Sequence, residues 1–133
     1  MSKNHSILLG KYIYKALSTD EELKPLLNGK IYPIVAENST LFPYLVYYRT
    51  SIQNISQNKD GLIEDLYTFD VVVVSNKYED GLQISNIARN TLERLKHIDN
   101  DTNISYIKLI DGEENYSDNS YIQKLTFQAS ITN

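Results

Sequence analysis

Apolar positions along this chain recur with two periods, and each marks a kind of element. From Ser6 to Leu17 the apolar residues Ile7, Leu8, Ile13, Tyr14 and Leu17 fall at a roughly helical spacing, with Ser6 as the expected N-cap. The next stretch, STDEELKPLL, offers Thr19 or Asp20 as a cap, acids in the first turn and Pro25 close to the start. This predicts a short second helix ending near Asn28-Gly29. A longer helical stripe, Ile84, Ile87, Ala88, Thr91, Leu95 and Ile98, runs through NKYEDGLQISNIARNTLERLKHI with polar residues on the remaining faces. It is the expected main packing helix.

The other period is two. Ile31 to Val35 reads as a brief strand, and Pro33, which has no ladder donor, confines it to a sheet edge. Tyr44 to Ile52 is aromatic and β-branched, and Pro43 stands where a strand can begin without its N–H. QNISQNKDG then reads as a long polar hairpin loop turning at Asp60-Gly61. Leu66 to Ser75 contains a run of four valines, which predicts a central strand buried on both faces over that portion. Ile104 to Ile110 and Tyr121 to Ile131 follow the main helix. In the last of these Leu125, Phe127, Ala129 and Ile131 alternate with Lys124, Thr126, Gln128 and Ser130.

Hairpins on both sides of the main helix, without βαβ alternation, predict an α+β fold. The expected architecture is an antiparallel sheet of four to five strands carrying the main amphipathic helix and an N-terminal helix, in one domain spanning residues 1–133. If Tyr44, Val46, Tyr48 and Ile52 face the helices, Leu45, Tyr47 and Arg49 lie on the opposite surface. Tyr67, Phe69, Val71 and Val73 likewise oppose Leu66, Val72 and Val74. The sheet therefore carries apolar side chains on both surfaces, more than the helices cover, which leaves a surface for a partner. The 11 tyrosines serve either sheet packing or such an interface, since each joins a large contact body to a polar tip.

Composition narrows the function. With 41% hydrophobic and 23% charged residues in 133, the chain has the balance of a folded domain. No cysteine is present, which excludes disulfides, thiolate nucleophiles and cysteine–zinc knuckles. The first apolar run breaks at Gly10-Lys11, too early for a signal segment or membrane span, so no membrane association and a cytoplasmic setting are expected. The net charge of -4, with scattered Lys and Arg, argues against a grip on nucleic acid while leaving a mildly acidic wall past which DNA can slide.

Catalytic chemistry has no local signature here. His5 lies in the N-terminal tail and His97 at the end of a helix, and neither sits in a recognisable triad pattern. The stretch from Asp99 imitates a calcium loop but has Ile104 where glycine is needed and Ile110 where glutamate is needed. The segment 111–118 holds Asp111, Glu113, Glu114 and Asp118, read as an acidic, solvated hairpin loop; a cation-binding or enzymatic domain built on these acids is the alternative. No cofactor and no metal site is expected, and the leading expectation is a protein that is not an enzyme.

One resemblance bears on the role. The sequence LNGKIYPIVAENSTLFPYLVYYRTS, then LYTFDVVVVSNKYEDGLQISNIARNTLERL, then a closing strand after a polar hairpin, resembles the small tail-completion proteins of long-tailed bacteriophages, the tail-terminator or tail-to-head-joining family. The pattern covers nearly the whole chain and centres on Ile31-Tyr32-Pro33 and Pro43-Tyr44; Gly29-Lys30 stands where the family has Gly-Arg, and Ala36-Glu37 where it often has another proline. The resemblance implies a hexameric ring at the head-proximal end of the tail tube that stops tube growth and joins it to the head connector, with DNA passing through the lumen. Its implied partners are further copies of itself, the tail tube protein and the connector, in a virion neck assembled in the host cytoplasm. The expected contact residues are Tyr47 and Arg49 on the strand face and two hairpin tips, Asp60-Gly61 and Glu113-Glu114.

Overall fold

The computed structural model describes residues 4–57, 63–99 and 102–132. A short 3-10 turn, Ser6–Leu8, leads into α1 (Leu9–Thr19), followed by α2 (Leu23–Leu27), β1 (Ile31–Pro33), β2 (Tyr44–Gln57), β3 (Ile63–Ser75), α3 (Tyr78–Glu93), β4 (Asn103–Ser117) and β5 (Ser120–Thr132). The α+β class is as expected, with the main helix and the N-terminal helix both present. The strands form one five-stranded sheet in the order β1-β2-β3-β5-β4. It is mixed rather than wholly antiparallel, because β1 lies parallel to β2, pairing Ile31 with Leu45. The segment between them carries the chain back to the end of the sheet where β1 began.

Helix α1 starts one turn later than its apolar spacing suggests. Leu9, Ile13 and Leu17, four residues apart, are its buried stripe, whereas Ile7, Leu8 and Tyr14 are exposed. Ser6 is not a helix cap: its hydroxyl donates to Asp65 Oδ2 on β3 at 2.6 Å, and its own N–H is taken by Asn4 Oδ1 at 2.9 Å. In α3 the buried face is Gly81, Ile84, Ser85, Ala88 and Leu92. The helix stops at Glu93, so Leu95 and Ile98 reach the core from the connection beyond it. His97 sits in that connection, bridging Asn103, rather than at a helix end. Gly81 lets α3 pack closely on the end of β3, since a Cβ there would stand 3.0 Å from Ser75 Oγ, a tight contact.

Asp20 joins the helices. Its Oδ1 accepts the N–H groups of Glu22 and Leu23 at 2.9 and 3.1 Å, and its Oδ2 accepts Thr91 Oγ1 of α3 at 2.7 Å. Burial pushes its carboxyl pKa up, but these hydrogen bonds and the nearby Arg94 outweigh that and hold it below the ordinary value. Asp20→Ala is expected to cost about 1–2 kcal/mol, the range of a lost helix cap, measured as a lower urea midpoint with an unchanged slope.

The facing of the sheet reverses the arrangement considered for β2. Leu45 and Tyr47 lie on the helix side with Tyr67, Phe69, Val71, Val73, Phe127 and Ala129, all buried in one cluster with α1 and α3. Tyr44, Val46 and Tyr48 are on the other side, only half-buried. The reason is register: Leu45 and Tyr47 pair with Val73 and Val71, whose side chains already meet the helices.

Both hairpins are longer than their polar composition suggests. β2 continues to Gln57, and β4 runs through the whole acidic segment to Ser117. Of the expected loop at 111–118, residues 111–117 are strand, with the reversal confined to Asp118 and Asn119 at φ of 52° and 64°. That two-residue, left-handed reversal is the one that matches strand twist. Cross-strand partners, Glu113 with Lys124 and Tyr116 with Tyr121, hold the polar stretch extended.

Candidate interaction surfaces

Three surfaces stand out among the described residues. The first is the sheet face opposite the helices, on which no element among the described residues packs. Its upper part is apolar, formed by Tyr44, Val46, Val72, Val74 and Ile122 at neighbouring register positions. Its centre is a polar network around Asp70, which is 4% exposed. Thr126 Oγ1 donates to Asp70 Oδ1 at 2.6 Å, and Lys124 Nζ stands 3.9 Å from Asp70 and 3.6 Å from Glu113. Asp70, then Glu113 and Tyr48, keep the lysine charged to a higher pH than usual, while burial and then Asp70 raise the Tyr48 phenol. Such a face, greasy at one end and charge-paired at the centre, can dock a protein surface.

The second surface is a cleft at the β1–β2 edge. It has a volume of about 680 Å³ and is lined by Gly10, Lys11 and Ile13 of α1, Pro33, Ile34, Tyr47, Tyr48 and Arg49, with Tyr67 and Phe69 as its floor. Among the described residues that line it, the charged ones are the two cations, Lys11 and Arg49. The Arg49 guanidinium lies 6.0 Å from the centre of the Tyr67 ring. Burial raises the pKa of the Tyr47 and Tyr67 phenols, with the Arg49 charge partly offsetting it at Tyr67, so both remain protonated donors. At the mouth, Ile34 has φ of 70° and is 75% exposed, an unusual conformation for a β-branched residue, secured by its N–H on Tyr47 O at 2.8 Å.

The third is the β4–β5 hairpin, exposed from Ile110 of β4 through the turn at Asn119. Glu114 lies on the helix side, accepting from Tyr78 Oη at 2.8 Å and Gln123 Nε2 at 2.9 Å; these two bonds depress its pKa. Asp111 and Glu113 pair in register with Thr126 and Lys124 on the opposite side. Strand alternation thus sends the acids of 111–118 to different faces, and among the described residues no group of three or more acids and histidines is placed to hold a metal. Asp111 and Glu113 therefore do not converge with Glu114 on one site.

Of the expected contact residues, Arg49 is exposed, but Tyr47 is 7% exposed and buried against the helices, a correction to its expected place on an open face. Glu113 and Glu114 are exposed but lie within a strand rather than at a tip. Asp60 and Gly61 lie outside the described residues. Sequence reasoning missed Lys11, Ile34 and Tyr67 as neighbours of Arg49. They come from α1, the β1–β2 connection and β3, and only the unusual Ile34 backbone, invisible in sequence, marks the place.

No family model matches the chain, and no curated protein matches it either. Among solved structures, the chain is similar to one in the virion of a native gene transfer agent particle, at a TM-score of 0.74 and 13% identity, over 91% of this chain and 92% of that one. The two share a fold. No helix among the described residues is long and apolar enough to cross a membrane.

Proposed function

We propose that this protein is a structural component of a tailed-phage or prophage virion, forming a ring at the head-proximal end of the tail tube that ends tube growth and joins tail to head. The observation that carries the reading is the near end-to-end fold likeness to a virion chain. The resemblance of the IYP…PYLVYY and LYTFDVVVV segments to the tail-completion family supports the finer role, as does a sheet face with apolar and charge-paired regions left for neighbours. Self-association and docking replace turnover in this account, with the tail tube protein and head connector as partners. A hexamer assembled in the host cytoplasm follows from the family resemblance, and the net charge of -4 suits a lumen through which DNA passes without being held.

Deleting the gene from its phage or prophage and imaging the particles tests this. The expected result is tail tubes of uncontrolled length detached from filled heads, restored by supplying the chain in trans. Tails of normal length attached to heads would refute the terminator role, and absence of the chain from purified particles by mass spectrometry would refute the virion role.

A further inference from the structure

We propose that the β1–β2 edge cleft of one copy receives the acidic β4–β5 hairpin of the next copy, making a head-to-tail contact. This rests on the ring reading above and specifies which surfaces meet. The cleft is an apolar hollow whose two charged residues, Lys11 and Arg49, are cations, in a chain whose net charge is negative. The occupant it fits therefore combines apolar surface with carboxylates. The hairpin has that chemistry: Asp111 and Glu113 share one face with half-buried Ile122 of the paired strand, and Tyr116, 56% exposed, lies on the other face of the same exposed strand.

Position reinforces the charge match. The cleft lies at the β1–β2 edge and the hairpin contains β4, the opposite edge of the sheet. A contact between opposite edges is heterologous, so each copy uses one surface toward each neighbour and the series closes into a ring when the rotation permits. Ile34 fits this role as well. A β-branched residue at positive φ costs on the order of 1–2 kcal/mol, and here that conformation leaves an apolar side chain exposed at the cleft mouth, where an arriving hairpin would cover it.

The absence of native cysteine allows a direct test. Arg49→Cys and Glu113→Cys are combined in the full chain, and both the purified protein and purified particles are treated with a mild thiol oxidant. The expected result is a ladder of dimers, trimers and larger species on a non-reducing gel, ending at the ring. Each single variant is expected to remain monomeric on the gel, and Arg49→Cys with Glu79→Cys, on the first turn of α3, to give no ladder. Lys11→Cys with Glu113→Cys repeats the test from the other cation. Absence of a ladder from both pairs, in protein and particles alike, would overturn the contact. So would efficient dimerisation of Glu113→Cys alone, which marks a symmetric hairpin contact. If the chain is present in particles but forms no ladder, the contact fails and the virion role stands. A ladder from purified chain that is absent from particles reverses that outcome.

Discussion

Phe127→Ala is expected to cost about 3–5 kcal/mol, enough to bring a domain of ordinary stability close to unfolding. Phe127 and Phe69 are both 0% exposed and stack across β5 and β3 with ring centres 5.2 Å apart. Phe69 also meets the edge of Tyr67 at 5.8 Å. Truncation removes the burial of one ring, opens a cavity that the strands cannot close, and forfeits the ring pairing, worth about 0.5–1.5 kcal/mol beyond area. Urea unfolding followed by circular dichroism measures it. Phe127→Leu, which refills much of the volume, is expected to cost clearly less, and Val72→Ala on the open face about 1 kcal/mol or below, because that side chain is only half-buried. A Val72→Ala loss as large as that of Phe127→Ala would mean that the sheet has a second core, leaving no face free for docking.

Asp65→Ala has the next largest expected effect, about 3 kcal/mol, because three side chains converge on this one carboxylate. Asn4 Nδ2 and Ser6 Oγ donate to Oδ2 at 2.7 and 2.6 Å, and Asn54 Nδ2 of β2 donates to Oδ1 at 2.9 Å. Asp65 is 4% exposed, so removing it leaves the buried Ser6 hydroxyl without its acceptor and frees the exposed amides of Asn4 and Asn54 from β3, and hydrogen bonds to a charged group contribute about 1.5–3 kcal/mol each before relaxation. The N-terminal segment is expected to detach from β3 first, seen as faster amide exchange at the start of α1.

The same site has a pH signature. Burial pushes the Asp65 pKa up, but the three hydrogen bonds outweigh it and hold the folded value below the ordinary 3.8. A depressed folded pKa means that the unfolded chain binds the proton first as pH falls. The contribution to stability is therefore complete above the ordinary carboxyl range and is lost as pH drops through the folded value. The stability gap between the native chain and Asp65→Ala should be widest near neutrality and shrink steadily below about pH 4. A gap independent of pH would mean that Asp65 acts through packing rather than charge.

How much of this was legible before the structure follows from where each signal lives. Helix existence, the edge character of β1 and the central place of β3 were readable because periodicity and the rules for proline are local. The hairpin lengths were not. Polar composition at 53–57 and 111–117 reads as loop, and only the partner strand, with pairs such as Glu113–Lys124, holds those residues extended. The facing of β2 failed for a related reason: Tyr44 to Tyr48 is apolar on both sides, so alternation carries no direction until β3 supplies a register. Arg49 was an expected contact residue, but its cleft was not foreseen, because Lys11, Ile34 and Tyr67 meet only through the packing of α1 on the β1–β2 edge.

The sequence by itself determined an α+β domain with apolar strands in excess of its helices, no thiol chemistry and no local catalytic motif, since these depend on residue type and short-range spacing. Tertiary structure alone decided which sheet face stays open, that the acids of 111–118 diverge along a strand, and that two cations share an apolar hollow at the far edge. Each of those depends on strand register and on contacts between residues distant in the chain, quantities that no local pattern encodes.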